Sequence, residues 1–352
     1  WSVSGRPAEP GLPEWLAVAA VCDYTKSCYC QQTQEKMQYL AVTFVCRLQS
    51  NGRFPPYKGS MLRGILGHSL HRAVCITRKT GCDQCMMVNT CCYPRLFTSS
   101  VAPQGSGTAP MLPPPSCLEP EPGEKCEYLA GETFAFTLKL FSYATDYLPH
   151  FIHAFTLAGQ CGAGRGAEGG GGVFTLSDVL HDGVSIYDAH AERLLPCPPA
   201  ELPLPCLCPV STASDMTCRL LTPLRFKNVN RLGTTLEFDS LIRLILRRIR
   251  SLAALDGQSF RLPPEEFVML RELTAATTVS ASDLRWRDWS RYSGRQKTIM
   301  QLGGLVGDIR YHGPVQAFAE YLRFAQLVHI GKQSSFGLGA CAFAPLPTGA
   351  KA

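Results

Sequence analysis

The residues best suited to chemistry are two histidines, His68 and His71, in the segment Gly59–Val74. Imidazole is the side chain that most readily moves protons near neutral pH. Cleavage of RNA needs a base to deprotonate the 2′-hydroxyl and an acid to protonate the leaving 5′-oxygen, and this chemistry requires no metal. Tyr57 and Lys58 precede the segment, where they could position the phosphate or stabilise its developing charge. These four side chains are the predicted catalytic residues.

Helical periodicity predicts that Gly59–Val74 is an amphipathic helix. Its apolar side chains fall on one face, and Gly64, Gly67, His68 and His71 lie opposite them. Each glycine in a helix interior costs about 1 kcal/mol relative to alanine. Close approach of another backbone, from a protein loop or a nucleic-acid strand, would account for both. The alternative is that the histidines are solvated surface residues and the glycines admit a neighbouring loop.

Five cysteines follow this helix in a short polar segment, with the spacing C-x6-C-x2-C-x5-C-C. One C-x-x-C pair with two further cysteines within reach suits a tetrahedral structural Zn²⁺. We therefore predict a zinc site that fastens the loop, with free thiols or an iron–sulfur cluster as alternatives. The predicted ligands are Cys75, Cys82, Cys85, Cys91 and Cys92.

Two glycine-rich segments, Gly159–Gly172 and Gly331–Gly339, each link a predicted helix to a predicted strand. The first fails as a dinucleotide fingerprint, because that motif follows a strand and opens a helix. Glycines in such loops free backbone N–H groups to face phosphates, and Arg165 and Lys332 add positive charge. The matching positions of the two loops favour a shared role in binding phosphates.

The segment Arg285–Lys297 carries five Arg or Lys residues against one Asp, interleaved with Trp286, Trp289 and Tyr292. Cations for phosphates and aromatic faces for bases are what an RNA surface requires. The alternative is that the aromatic residues belong to the core and the arginines to a solvated edge. The predicted RNA contacts of the whole chain are Arg63, Arg72, Arg165, Arg285, Arg287, Arg291, Arg295, Lys297, Lys332, Ser334 and Ser335.

The composition is that of a globular protein large enough for two domains: 352 residues, 45% hydrophobic and 18% charged. The net charge of +6 is compatible with a polyanionic partner but does not require one. Seventeen cysteines without a recognisable signal peptide predict reduced thiols in the cytoplasm. No apolar run approaches the roughly 18 residues of a membrane span, so no membrane association is predicted.

The candidate site residues must be positioned by a fold, and the predicted fold is of the α+β class. The predicted elements follow the order β-α-β-β-α-β in each half of the chain. This order predicts tandem ferredoxin-like (RRM-like) domains with the cysteine-rich insertion 75–97 after the first helix. A Pro-, Gly- and Ser-rich stretch, Ser99–Glu127, is predicted to be an exposed excursion, and Asp239 is predicted to cap a helix. The predicted organisation is an extension over 1–38, a first domain over 39–195, a linker over 196–215 and a second domain over 216–346.

The first-helix segment and the cysteine loop, with CYPRLF at 92–97, resemble the start of CRISPR precursor-RNA processing endoribonucleases of the RAMP superfamily. GAGRG at 162–166 is similar to their glycine-rich loop. RYSGRQKTIMQLGGLVGDIRYHG at 291–313 and HIGKQSSFGLG at 329–339 are similar to their carboxy-terminal signature. The resemblance covers roughly residues 39–345.

This resemblance implies metal-independent cleavage of CRISPR repeat RNA to mature guide RNA, a 2′,3′-cyclic phosphate, and continued grip on the product stem-loop in an effector complex. Some members of the family use a histidine after the first helix. This chain has none there before His150, so His68 is the first choice as proton carrier and His71 the second.

Two other functions stay open on the sequence. The first is a non-catalytic RAMP subunit that holds guide RNA in an interference complex. It would have the histidines of the first helix replaced or buried. The second is a zinc-dependent nuclease, which would need an open metal site with histidine or carboxylate ligands, whereas the cysteine cluster predicts a closed one.

Overall fold

The structure is a computed structural model that describes residues 35–78, 81–98, 100–101, 111–164, 171–208, 212–228, 231–293 and 298–345. Most of the predicted extension lies outside these ranges. Within them, every helix is too short or too polar to span a membrane.

The amino-terminal half is built on strand β1, Lys36–Leu48, in which every second side chain from Leu40 onward is buried. This alternation of period two places one face of the strand on the core. The other main elements of this half are α1 (Gly59–Val74), α2 (Cys92–Phe97), β2 (Ser116–Pro120), β3 (Thr133–Phe141), α3 (Leu148–Cys161), β4 (Phe174–His181) and β5 (Ala200–Pro203). The sheet is antiparallel with the order β2-β3-β1-β4, and β5 pairs with the start of β1.

The carboxy-terminal half repeats this strand order. Its elements are β6 (Ser214–Leu224), α4 (Phe238–Ala253), α5 (Pro264–Ala275), β7 (Thr278–Ser282), β8 (Gly304–Gly313), α6 (Ala319–Val328) and β9 (Cys341–Ala344). The sheet order is β7-β8-β6-β9, again antiparallel. The α+β class with antiparallel sheets is therefore confirmed. Helix α5 is an addition that the predicted β-α-β-β-α-β order did not contain.

Short elements complete both halves. Two-stranded pairs join Gly52–Arg53 with Glu127–Tyr128, Ser100–Val101 with Met111–Leu112, Tyr187–Asp188 with Arg193–Leu194, Lys227–Asn228 with Arg231–Leu232, and Ser290–Ser293 with Thr298–Gln301. Val184–Ser185 pairs with β4 and Arg285–Arg287 with β8. Turns of 3-10 helix occupy Cys82–Gln84, Ser142–Tyr147, Ala254–Asp256, Val315–Phe318 and Ser334–Phe336.

Three predictions need correction. The stretch predicted as an exposed excursion contains β2, whose residues Ser116, Cys117 and Leu118 are buried because β2 pairs with β3. The predicted linker contributes β5 to the first sheet. Helix α4 has Glu237 as its N-cap, and Asp239 instead pairs with Arg243 at 2.5 Å.

The two halves share apolar packing. The core of the carboxy-terminal half includes Met37, Cys117 and Phe141 from the amino-terminal half, all at most 1% exposed. The segment after β5 joins the same interface, where the backbone N–H of Cys208 donates to the Ala317 carbonyl at 2.9 Å. Residues at the junction of the halves are thus held by both sheets.

Candidate active site and RNA interface

Helix α1 positions the two histidines, and its burial pattern decides which of them is available. Leu62, Leu66 and Leu70 are at most 1% exposed and form the face that packs in the core. His68 and Arg72 are exposed on another side of the helix. Gly64, His68 and Arg72 follow one another at intervals of four residues and therefore form one stripe along the helix. We call these three residues the α1 stripe.

His71 lies on a different surface from His68. It is half-buried, and its ring meets the Tyr93 ring edge-on with centroids 4.9 Å apart. Tyr93 belongs to α2, which packs beside α1 and covers this side of the helix. The predicted convergence of both imidazoles on one cleared surface is therefore not observed, and the α1 stripe contains a single histidine.

The glycines of α1 differ in the neighbours that would exclude a side chain at their positions. A β-carbon on Gly67 would overlap the Phe97 ring, and one on Gly59 would overlap the Phe336 carbonyl oxygen. Gly67 thus admits an aromatic ring of α2, and Gly59 admits the loop that precedes β9. Gly64 has no atom within 4 Å of the position that a β-carbon would take. Protein packing therefore explains Gly67 and Gly59, but it does not explain Gly64.

The two glycine-rich loops adjoin opposite ends of α1. At its carboxy-terminal end, Arg72 Nη1 lies 3.4 Å from the sulfur of Cys161, which is the last residue of α3 and lies within the first glycine-rich segment. At the other end, the Tyr57 hydroxyl donates to the Phe336 carbonyl of the second loop at 2.5 Å. The α1 stripe runs between these two ends.

The first loop closes on its own half. Gly162 and Gly164 adopt left-handed φ angles of +80° and +82°. The Ala163 N–H donates to the Gly172 carbonyl at 3.0 Å, and Gly164 lies against the Arg53 carbonyl. Arg165, the predicted phosphate contact of this loop, lies outside the described residues.

Tyr57 and Lys58 are held at the start of α1 and do not face the α1 stripe. The Tyr57 ring stacks on Trp289 with centroids 4.2 Å apart, and burial raises the pKa of its phenol well above the ordinary value. Lys58 is 5% exposed, with its ammonium 5.7 Å from the Tyr128 ring centroid, and burial lowers its pKa. At a rise of 1.5 Å per residue, His68 is about 15 Å further along the helix than Lys58. The four predicted catalytic residues thus occupy three places.

Several side chains of the basic segment Arg285–Lys297 form contacts with other protein side chains. Arg287 forms an ion pair with Glu124 and lies 5.0 Å from the Trp289 ring centroid, and the Trp286 indole donates to Asp288 at 2.7 Å. Arg285 is exposed. Of the other predicted contacts here, Arg291 lies on the strand Ser290–Ser293, and Arg295 and Lys297 fall outside the described residues.

The remaining predicted RNA contacts divide into exposed and internal side chains. Lys332 is exposed, whereas Ser334 and Ser335 are both only 8% exposed. The Arg63 guanidinium lies 4.0 Å from the Phe97 ring centroid and donates to the Phe97 carbonyl at 2.8 Å. Arg63 therefore joins α1 to α2.

Four of the five predicted zinc ligands line one small cavity. Cys75, Cys82, Cys85 and Cys91 surround a space of about 20 Å³, together with His71 and neighbouring side chains. Cys92 is not among the residues that line it, and packs instead against the core of the amino-terminal half. Across the described ranges, no group of three or more His, Cys, Asp or Glu side chains has the arrangement of a metal site.

The Cys75 thiol has the most distinct electrostatic setting in this loop. The backbone N–H of Arg78 donates to its sulfur at 3.4 Å. This hydrogen bond is the main reason why the pKa of Cys75 is lowered, because it favours the thiolate. The insertion thus places four thiols around one space, with one of them biased toward its charged form.

Sequence reasoning missed the contacts that join the two halves around Tyr57. The stacking on Trp289 and the hydrogen bond to Phe336 connect residues more than two hundred positions apart. The charged side chains of Glu119, Lys139 and His329 were also missed. Lys139 lies in a predicted strand, Glu119 lies in the predicted excursion, and His329 opens the recognised segment 329–339 but was assigned no role of its own.

Comparison with known proteins points to one family. Residues 218–341 match the model of the CRISPR-associated endoribonuclease Cas6. This match covers about a third of the chain, and it supports a Cas6/RAMP family member and an endoribonuclease of CRISPR repeat RNA processing. Residues 37–199 match a second model, the N-terminal domain described as AF_1859_N.

The individual proteins that this chain resembles are distant from it. An uncharacterized protein of Archaeoglobus fulgidus is 25% identical over 290 residues, which cover 81% of the chain and 91% of that protein. A partial Cas6-RT-Cas1–Cas2 complex has a chain with TM-score 0.51 and 13% identity, covering 90% of this chain and 47% of that one. Cas6 of Thermus thermophilus has TM-score 0.48 and 15% identity, covering 87% and 98%. The complex supports the fold alone.

Proposed function

We propose that this chain cuts CRISPR repeat RNA without a metal ion, that His68 carries a proton in the reaction, and that the product ends in a 2′,3′-cyclic phosphate. The observation that carries this proposal is the α1 stripe: His68 and Arg72 are exposed and Gly64 is half-buried, and all three lie between two glycine-rich loops. An RNA strand laid along this stripe would meet an imidazole, a guanidinium and backbone N–H groups at both ends.

The chemistry follows from these groups. Removal of the proton from O2′ lets that oxygen attack phosphorus, a P–O2′ bond forms, and the P–O5′ bond breaks with its electron pair leaving on O5′. A second proton must then reach O5′. Because His71 faces the cysteine insertion, His68 would supply one of the two transfers and solvent the other. Arg72, one turn away, would stabilise negative charge on the phosphate oxygens.

The test uses purified chain and repeat RNA in EDTA, under single-turnover conditions. We expect cleavage to proceed, the upstream product to end in a cyclic phosphate, and a 2′-deoxy substitution at the scissile nucleotide to abolish cutting. Cleavage of the 2′-deoxy substrate, or loss of activity in EDTA that Mg²⁺ alone restores, would contradict the proposed mechanism.

A second candidate function is a RAMP subunit that holds guide RNA without cutting it. It is favoured by one observation, namely that His71 and Tyr57 are both engaged inside the protein and leave His68 as the single exposed histidine of helix α1. This function predicts that repeat RNA binds tightly and is recovered intact. For either function, we propose that exposed Arg72, Arg285 and Lys332 contact RNA and that other subunits of a CRISPR effector complex are partners.

We interpret the two halves as tandem ferredoxin-like domains, with the cysteine insertion following the first helix of the first domain. We also propose that Cys75, Cys82, Cys85 and Cys91 bind a structural Zn²⁺. Supporting this, the insertion from Cys75 to Tyr93 has no buried side chain among its described residues, and its four thiols surround a space of about 20 Å³. The thiols would close further around a bound ion, since Zn–S bonds measure about 2.3 Å.

Metal analysis tests the zinc site independently of RNA cleavage. The chain purified without chelator should contain one equivalent of zinc, and the Cys82→Ser and Cys85→Ser variants should contain none. Cys92→Ser is the matched control and should keep its zinc. Zinc-free wild-type protein would contradict the proposal.

A further inference from the structure

Charged side chains are buried where the second glycine-rich loop of the carboxy-terminal half meets the first sheet. Lys139 on β3 and Glu119 on β2 form an ion pair at 2.7 Å, with the Lys139 side chain 10% exposed. His329, at the start of the loop, is fully buried. Its Nε2 lies 3.4 Å from the Lys139 ammonium and 3.7 Å from a Glu119 carboxylate oxygen. Two side chains of one half thus enclose the imidazole of the other.

Donor and acceptor chemistry gives these contacts a direction. Burial and the Lys139 ammonium lower the pKa of His329, but Cys117 and Glu119 outweigh them and raise it to about 9. A protonated ring pairs through Nε2 with the Glu119 carboxylate at 3.7 Å and donates from Nδ1 to the Leu338 carbonyl at 3.4 Å. In this arrangement the Glu119 carboxylate faces both the Lys139 ammonium and the His329 ring.

The Lys139 and Glu119 side chains remain charged, although burial disfavours the charged form of each. Burial raises the pKa of Glu119, but the Lys139 ammonium outweighs this effect and holds the pKa far below its ordinary value. Burial lowers the pKa of Lys139, and the Glu119 carboxylate more than reverses this, so the pKa is raised. Burying ions is costly, and hydrophobic residues in their place often stabilise a protein as well or better. A role other than stability is therefore worth testing.

The backbone of the second loop depends on the same place. His329 has a left-handed φ of +56°, which is uncommon outside glycine, and Gly337 has a φ of +82°. The Cys117 thiol, two residues before Glu119, donates to the Ser334 carbonyl at 2.9 Å. A β-carbon on Gly337 would overlap the Leu118 carbonyl oxygen. Three consecutive residues of β2, Cys117 to Glu119, therefore lie against Ser334, Gly337 and His329.

We propose that Glu119, Lys139 and His329 form an interdomain clamp that sets the position of the second glycine-rich loop against RNA. The clamp residues are positioning residues, since Lys139 and His329 are buried and Glu119 is half-buried, while Lys332 on the loop is exposed. This inference rests on the proposed function only for its consequence in RNA cleavage. The effect on the loop itself is independent of RNA.

The decisive experiment compares Lys139→Met with the double variant Glu119→Gln/Lys139→Met. The single variant leaves a half-buried carboxylate without its lysine partner, so its melting temperature should fall. The double variant removes both charges and should recover most of the melting temperature. It still lacks the two charged groups that face His329. We therefore expect amides of residues 331–337 to exchange with D₂O faster than in the wild type, without RNA present.

Cleavage provides the second readout. In the double variant, the single-turnover rate at saturating protein should fall by about 100-fold, the loss that a displacement near 1 Å can cause. Lys125→Met is the matched control, because its partner Glu132 lies 2.9 Å away in an exposed ion pair of the same half. It should change neither readout.

The outcomes separate the alternatives. If the double variant regains wild-type melting temperature, loop exchange and cleavage together, the pair only stabilises the fold and the clamp is refuted. If the single variant does not fold, the double variant and His329→Gln still decide, because both should loosen the loop. A wild-type chain that cuts no RNA but whose loop responds to these variants would refute the proposed function and support the clamp.

Discussion

Helices α1 and α4 occupy the same position in the two repeated units, directly after the first strand, yet they differ on their outer sides. Helix α4 has no glycine or histidine, and buries eleven of its residues. Its exposed positions carry Arg243, Arg247 and Arg250, the first of which pairs with Asp239. Helix α1 buries six residues, of which three are glycine or serine, and it exposes His68 and Arg72 beside the half-buried Gly64.

The difference shows that the helix in one copy of a repeated topology can mainly stabilise the fold. The equivalent helix in the other copy packs less extensively and leaves side chains free to contact a ligand. Helix α4 is strongly amphipathic and its arginines match a solvated face. Helix α1 contains three glycines, and the two in its interior, Gly64 and Gly67, weaken it. Neighbouring protein atoms explain Gly59 and Gly67 but not Gly64. If this interpretation is right, substitutions on α1 should alter reactivity and substitutions on α4 should alter stability.

The largest expected effect is that of His68→Ala. Loss of a positioned proton carrier typically costs 10²- to 10⁴-fold in rate, so we expect the single-turnover rate to fall by about 100-fold or more while RNA affinity changes little. His153→Ala is the matched control, since His153 is an exposed histidine on the neighbouring helix α3. An unchanged rate in His68→Ala would remove the chemical role of α1 and favour the guide-RNA holder.

The reciprocal prediction concerns Ile245→Ala on α4. Ile245 is fully buried, so truncation should reduce the free energy of unfolding by about 2–5 kcal/mol through lost burial and the cavity that remains. Chemical denaturation measures this loss. At a temperature where the variant is folded, its single-turnover cleavage rate should equal that of the wild type. A large fall in that rate would show that α4 also shapes the active site.

A smaller effect is expected from Gly67→Ala on α1. The new methyl group would overlap the Phe97 ring, and overpacking of this kind costs about 1–3 kcal/mol. The measurement is the free energy of unfolding, and Phe97→Leu in the same chain should recover part of the loss by making room. If Gly67→Ala is neutral by itself, α2 does not pack on α1 as closely as the structure shows.

The sequence predicted the bounds of α1 correctly, because its apolar spacing and preceding prolines are local signals. It failed for β2, since the five residues Ser116–Pro120 follow a run of prolines and have too short a pattern to recognise. The strand is fixed by pairing with β3. The chemistry of histidine on α1 could be predicted, but the separation of His68 from His71 could not. That separation depends on Tyr93, whose placement beside α1 is a tertiary contact.

The same limit applies to Tyr57 and Lys58. Their residue types suggested a role with phosphate, and their position before α1 was correct. The structure instead engages the Tyr57 hydroxyl with Phe336 and buries Lys58 near Tyr128. Both partners are distant in sequence, so no reading of spacing could have identified them. Patterns of types and spacings locate elements well, whereas orientation of a side chain requires knowing what packs against it.

The last prediction, Gly64→Ala, has the smallest expected effect on the free energy of unfolding but tests most directly where RNA binds. Gly64→Ala places a methyl group where no protein atom lies within 4 Å, so the helix should gain about 0.5–1 kcal/mol in free energy of unfolding. If the RNA backbone passes over the α1 stripe, the same methyl group should weaken RNA binding and slow cleavage although the protein is more stable. Arg247→Ala on α4, an exposed position, is the control and should change neither. Gly64→Ala protein that is more stable and binds and cuts RNA like the wild type would place the RNA path away from α1, whatever the role of His68.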